Sequence, residues 1–271
     1  MNEQSTDDSV DTPSVWPAPP LIPEVGLNLS VIKEQRIVGF FGGEPAARPF
    51  NILRAQIQKK IVEKNYSIIG ITSAAPSVGK TFVACNLSAA MSSIPDFRTT
   101  LVDLDFRNPS VSRALGLTFE KGFNDYLNDE SVGLHSIGQS ILGTQLTVYP
   151  SSRDLNNPGN LFLGEKFKRL LALTRGDKGK HLLILDLPPV MASDDAINIA
   201  QLIDAYLIVV SAQTTTAKQV KEASAMLAPA RCLGSVLNKY AGVPFDTYGY
   251  GANSDAYARY YATGPDVETT G

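Results

Sequence analysis

Apolar residues recur along the chain in two alternating patterns. Short runs that are apolar almost throughout fall near 67–73, 99–104, 146–149, 181–186, 205–211 and 233–238. That is the form of strands covered on both faces. Between them, apolar positions spaced three and four apart predict helices near 80–93, 160–174, 194–202 and 216–228. Ahead of the first run, Phe50, Leu53, Ile57 and Ile61 mark one face of a helix over 49–64. Strands alternating with helices predict βαβ units: an α/β fold with a mostly parallel sheet and helices on both faces. No internal repeat is present.

The two ends break the pattern. Residues 1–24 are acidic, Ser/Thr-rich and then proline-rich, with the lone tryptophan, Trp16, among them. Such a stretch cannot bury enough apolar surface to offset its ordering, so a disordered arm is expected. From Tyr240 onward, 240–271 carries Tyr240, Tyr248, Tyr250, Tyr257, Tyr260 and Tyr261 among Gly, Ala, Ser and Asp, without helical or strand period. A flexible tail is expected there. The predicted domain is therefore 25–239.

Composition narrows the function classes. The chain has 271 residues, 44% of them apolar, and a net charge of −3. That suits one α/β domain with tails and implies no bulk attraction to nucleic acid or to an anionic membrane. Two cysteines, Cys85 and Cys232, make no disulfide framework and read as small core residues. His135 and His181 lack the spacing of a zinc site. No apolar run is long enough to span a bilayer, and the N-terminus is not a signal peptide. A cytoplasmic protein without direct membrane insertion is expected.

Chemistry concentrates at three strand ends. After the first run comes Ser73-Ala-Ala-Pro-Ser-Val-Gly-Lys-Thr81, a small-residue loop opening into a helix. Such a loop wraps nucleotide phosphates in backbone N–H groups at a helix N-terminus. Ala75, Pro76, Ser77, Val78, Gly79, Lys80, Thr81 and Phe82 form the candidate loop, with Lys80 on the β/γ oxygens and the Thr81 hydroxyl on magnesium. Ala74 stands where the strict pattern has glycine. The second site is Leu101-Val-Asp-Leu-Asp-Phe-Arg107, where Asp103 and Asp105 share one face of a strand. Two carboxylates there can hold magnesium or take a proton from a hydroxyl. The third is Asp186, ending the run His181-Leu-Leu-Ile-Leu-Asp186, where a magnesium-side carboxylate belongs. In this order the three predict an ATP and Mg²⁺ site of the P-loop NTPase type.

These segments, with Asp-Leu-Pro-Pro189 and the C-terminal tyrosine cluster, resemble the bacterial tyrosine kinases (BY-kinases), in particular the cytoplasmic autokinases and chain-length regulators of exopolysaccharide loci. The similarity runs from about Ile37 to Lys239. It implies ATP-dependent protein-tyrosine autophosphorylation that regulates polysaccharide polymerisation or export. By position it assigns Lys80, Asp103 and Asp105 as catalytic, and Thr81, Asp103, Asp105 and Asp186 to the metal. Arg107 completes an Asp-x-Asp-x-Arg pattern, and Asn238 matches a residue that meets adenine. It implies tail acceptors at Tyr248, Tyr250, Tyr257, Tyr260 and Tyr261. It also implies a homo-oligomer, and as activator a membrane polysaccharide co-polymerase that would bring the chain to the inner face of the membrane.

Three departures stand out. Leu187 replaces the family's Ser/Thr, a hydroxyl that could steady the metal's water shell. Ser77 replaces a common Gly, which would strain the loop by about 1 kcal/mol if that position has φ > 0. The Glu-x-x-Arg-x-x-Arg helix that builds rings of subunits is here Arg48, Asn51 and Arg54, with only the last kept. Two further function classes stay open. One is an ATP switch of the partition type, against which Ala75 replaces that group's signature lysine. The other is an ATP-binding adaptor without phosphotransfer.

Overall fold

The computed structural model describes residues 22–154, 158–177 and 179–241. Among these, the strands are β1 (Glu24–Val25), β2 (Ile68–Ser73), β3 (Arg98–Asp103), β4 (Gln139–Ile141), β5 (Leu146–Tyr149), β6 (His181–Asp186), β7 (Ala205–Ser211) and β8 (Cys232–Asn238). They make one sheet in the order β1-β4-β5-β3-β6-β2-β7-β8. Every neighbouring pair is parallel except β4–β5. All residues of β2 and β6 are buried, as their unbroken apolar runs require, whereas β8 at the sheet edge is half-buried to exposed.

Side-chain alternation sorts the core into two layers. On β6, Leu182 and Ile184 join a cluster with Ile57 and Ile61 of α2 (Arg48–Lys64) and with Val83 and Leu87 of α3 (Lys80–Met91). Leu183 and Leu185 face the other way, toward Phe167 and Leu170 of α7 (Glu165–Gly176), Ile199 of α8 (Asp195–Ala200) and Leu227 of α9 (Ala217–Leu227). Asp186 has the parity of Ile184, and Asp103 that of Leu101, so both carboxylates fall on the α3 side. Their Cα positions pair across β3 and β6. The register alone therefore brings two acids to one end of the sheet.

Short elements escape a reading based on periodicity. β1 and β4 have two and three residues, and three short helices, α4 (Val111–Leu115), α5 (Phe123–Asn128) and α6 (Leu134–Ile137), complete no apolar repeat. Another short helix, α1 (Leu29–Glu34), is announced by its cap, Asn28, whose side chain accepts from Ser30 N and Val31 N. The expected end of the arm at residue 24 moves back, because Ile22 is buried and Glu24 pairs with Ser140. Residues 1–21 and 242–271, with the remainder of the arm and five of the tail tyrosines, lie outside the described residues. Cys85 is core as expected, but Cys232 is exposed on the edge strand. Asn86 went unnoticed in the sequence. Its buried amide accepts from Gly39 N and donates to Arg36 O and Phe82 O, tying the segment after α1 to α3.

His181 gives the fold an acid-sensitive point. It is buried at the start of β6, with Nε2 2.9 Å from Thr100 Oγ1. Burial, aided by the charge of Arg98, holds its pKa down at about 3. The unfolded chain takes this proton below about pH 6.5 and the folded chain only near pH 3, so stability is full above that window and falls as pH drops through it. From pH 6.5 to 5 the loss should be about 2 kcal/mol. Urea unfolding at the two pH values should show it as a difference between the parent and His181→Gln, which keeps a hydrogen-bonding amide but does not titrate.

Candidate active site

The loop after β2 begins the site. Ser77 has φ +60° and Gly79 φ +95°, so the chain turns twice through the left-handed region before α3 begins. The N-terminus of α3 carries no side-chain cap, which leaves its first-turn N–H groups for an anion. A Cβ on Gly79 would lie 2.1 Å from Asn238 Nδ2, so only glycine fits. The suspected strain at Ser77 is present. Ser77→Gly should raise stability by about 0.5–1 kcal/mol, the left-handed penalty less the extra freedom glycine has when unfolded. A shift in the urea midpoint measures it.

Around this loop the acids converge. Lys80 Nζ lies 2.7 Å from Asp105 Oδ2 and 3.8 Å from Asp186 Oδ1, and is largely buried. Burial opposes its charge, yet Asp186 and Asp105 outweigh burial and raise its pKa, so it stays a cation. Thr81 Oγ1 donates to Asp186 Oδ2 at 2.5 Å and accepts from Ser110 Oγ at 2.9 Å. Asp186 is fully buried, and its Oδ1 accepts no hydrogen bond. Burial pushes its carboxyl up, with Lys80 and Thr81 pulling the other way.

The two acids separate in role: Asp103 is the last residue of β3 and Asp105 lies beyond it, so they do not share a strand face as expected. Asp105 lines a cleft of about 500 Å³ together with Ser77, Lys80, Thr81, Arg107 and Lys239. Asp103 lies behind it, fully buried. Its Oδ2 accepts from Ser110 N and Val111 N, and its Oδ1 from Asp105 N. Burial, and then the Asp186 charge, raise its pKa to about 7 against the pull of those N–H groups. In this geometry Asp103 braces the turn that presents Asp105 and Ser110 and does not itself face the cleft.

The other expected residues fall as follows. Ala75, Pro76 and Ser77 form the outer loop, Val78 is buried, and Phe82 packs edge-on against Phe50 at 5.7 Å between ring centroids. Arg107 sits exposed at the cleft rim. Asn238 does not open onto the cleft through its amide nitrogen, which donates to Val78 O at 2.9 Å, and Lys239 Nζ donates to Ser77 O at 2.6 Å. The end of β8 thus clamps the phosphate loop. Ser110 and Lys239 had not been singled out. Their signal was position alone: one follows the Asp-x-Asp-x-Arg turn, the other follows Asn238. Leu187 is fully buried on the far layer, where a Cβ on Gly70 would meet its Cδ1 at 2.6 Å. A hydroxyl at that position would fall in the core, so the departure is one of packing. Asn51 donates to Gly42 O, and Arg54 turns inward to Ala90 O and Ser93 Oγ.

The donor set fits magnesium and a nucleotide. Among the described residues no cluster of three His, Cys, Asp or Glu could hold a metal by itself. Magnesium commonly takes one or two protein oxygens and completes its shell with phosphates and water. The orphan Oδ1 of Asp186 beside the Thr81 hydroxyl supplies such a pair.

A parallel sheet with a phosphate loop, a lysine and two acidic strand ends defines a P-loop nucleotide-binding protein. The chain belongs to the ParA family, described as NUBPL iron-transfer P-loop NTPase, whose family model matches residues 64–239. Among curated relatives it is 27% identical over 210 residues to the tyrosine-protein kinase YwqD of Bacillus subtilis, covering 77% of this chain and 87% of that one. It is 26% identical over 222 residues to the tyrosine-protein kinase ptk of Acinetobacter johnsonii, covering 79% of this chain. The chain spans only 29% of that relative, and 23% of the Salmonella typhimurium tyrosine-protein kinase wzc. Among solved structures, the kinase domain of the Escherichia coli tyrosine kinase ETK superposes with a TM-score of 0.67 at 26% identity, over 78% of this chain and 84% of that one. Bacterial proteins named tyrosine-protein kinases are thus among its homologues.

Proposed function

We propose that this chain is an ATP-dependent protein-tyrosine kinase that phosphorylates tyrosines of its own C-terminal tail. The convergence of Lys80, Thr81, Asp105 and Asp186 at one sheet end carries the reading. The likeness to proteins named tyrosine-protein kinases gives it its substrate class. ATP binds on the loop 75–82, and Lys80 places its charge on the β/γ oxygens. Thr81 and Asp186 would hold magnesium, which when bound would supply positive charge against the transferring phosphoryl group. A tail tyrosine of a neighbouring copy attacks the γ-phosphorus, its proton passes to Asp105, and ADP leaves. Asp103 keeps that turn in place.

The acceptors are Tyr248, Tyr250, Tyr257, Tyr260 and Tyr261. Each phosphate adds close to two negative charges, so a multiply phosphorylated tail repels itself, loosening the assembly. The resemblance extends the reading to control of exopolysaccharide polymerisation or export, with a membrane co-polymerase as activator at the inner face of the membrane. No helix among the described residues is long and apolar enough to cross a membrane.

A chain truncated after residue 241 tests the assignment of the tail. It should bind ATP as the full chain does and take up no phosphate. Equal uptake by the truncated chain would move the acceptors into the domain. A second reading, an ATP switch without transfer, draws on the match to the ParA family of P-loop NTPases. Ala75 in place of that group's lysine weighs against it.

A further inference from the structure

The loops after the adjacent strands β3 and β6 both line the cleft, and one side-chain pair joins them. Arg107 belongs to the first loop, lines the cleft and is 46% exposed. Asp195, the first residue of α8, is 2% exposed. Its Oδ2 accepts from Ser193 Oγ at 2.6 Å and lies 4.0 Å from Arg107 Nε. Its Oδ1 is buried and accepts no hydrogen bond. Ser193 in turn lines the cleft, and its Oγ also accepts from Asp195 N at 3.2 Å, which fixes the hydroxyl on the acid.

A buried carboxylate is costly unless a cation or several donors serve it. Burial pushes the Asp195 carboxyl up, the Ser193 hydroxyl pulls it down, and Arg107 adds to that pull. Arginine, for its part, has a long side chain whose rotamer freedom must be given up before it can hold an anion. A buried carboxylate 4.0 Å from Nε, an ion-pair separation longer than a hydrogen bond, restricts that freedom and leaves the Nη donors unused.

We propose that Asp195, seated by Ser193, is a positioning residue for Arg107: it takes the Nε side of the guanidinium and so presents the Nη side to an anion in the cleft, the terminal phosphate of a bound nucleotide. Asp195 touches neither nucleotide nor acceptor. It acts through Arg107 and ties the loop carrying Asp105 to the loop that follows Asp186. The reaction is the one proposed above, and the proposal rests on that reading only for its activity readout.

Phenylglyoxal modification of the full chain, mapped by mass spectrometry, tests the pair without activity. Arg107 should react at least about threefold faster in Asp195→Asn than in the parent, since the neutral amide releases a guanidinium the carboxylate holds. Arg113, on the same cleft, should be unchanged. In parallel, total ATP turnover, counted as phosphotyrosine plus free phosphate, should fall about tenfold in Asp195→Asn, with ATP affinity within about twofold. The double variant with Arg107→Ala should be no slower than Arg107→Ala alone, and Arg107→Lys should not restore the rate. Turnover without phosphotyrosine in the parent would sink the kinase reading and leave the pair standing. Equal reactivity of Arg107 in parent and variant, or losses that add in the double variant, would overturn the proposal. If Asp195→Asn fails to fold, Ser193→Ala removes only the seat and should shift Arg107 reactivity the same way by a smaller factor.

Discussion

Asp186→Asn should abolish ATP turnover and leave the fold as stable as the parent or more so. The two effects come from one fact: a carboxylate buried completely, with Oδ1 accepting no hydrogen bond. In the proposed site such an oxygen would meet magnesium, and its loss would remove an interaction that matters most when charge spreads in the transition state. A fall in turnover of about a thousandfold is expected. Stability moves the other way. Burial raises the folded-state affinity of Asp186 for a proton, so the folded chain is destabilised as pH rises above the unfolded carboxyl value through the folded one. The amide mimics the neutral form, can still accept from Thr81, and relieves Asp103 of a nearby like charge. At pH 7.5 the urea midpoint of Asp186→Asn should equal or exceed that of the parent. A variant that unfolds early would show instead that the Lys80–Asp186 attraction outweighs burial.

Gly79→Ala should remove nucleotide binding and weaken the fold together. The residue has φ +95°, and its missing side chain leaves room for Asn238 Nδ2, which donates to Val78 O. A left-handed alanine costs about 1–2 kcal/mol. Displacing the Asn238 amide loses a hydrogen bond worth about 1 kcal/mol. Stability should drop by about 2–3 kcal/mol and nucleotide affinity by at least about a hundredfold, because the loop can no longer approach the phosphates. Adding Asn238→Ala should recover part of the stability by clearing the contact, but not the binding, because the backbone strain stays. Titration with a fluorescent nucleotide and urea unfolding read the two losses separately. Affinity within a few-fold of the parent would remove Gly79 from the phosphate site.

What was legible in the sequence follows from what the physics repeats. Buried central strands write unbroken apolar runs, so β2, β3, β6 and β7 fall within a residue or two of expectation. The acids were legible because strand ends line the crevice; the period of two that would set Asp103 and Asp105 on one face does not apply, since β3 ends at Asp103. Sequence could not separate their roles. That took the backbone donors on Asp103, which come from Ser110 and Val111, seven and eight residues on. Leu187 looked like a lost hydroxyl until its parity placed it in the opposite layer against Gly70. The clamp of Asn238 and Lys239 on the phosphate loop joins positions about 160 residues apart, which no local pattern records. β1 and β4 were missed because two or three residues hold no period, and they exist only by pairing with their neighbours.

The most direct measurement is phosphotyrosine mapping by mass spectrometry on the full chain, purified from cells that also express its candidate membrane partner, beside Lys80→Met. Lys80 is the cation on which Asp105 and Asp186 converge. Phosphate on the tail tyrosines of the parent and none on Lys80→Met is the predicted result. Phosphotyrosine in neither protein, or equally in both, would contradict the account.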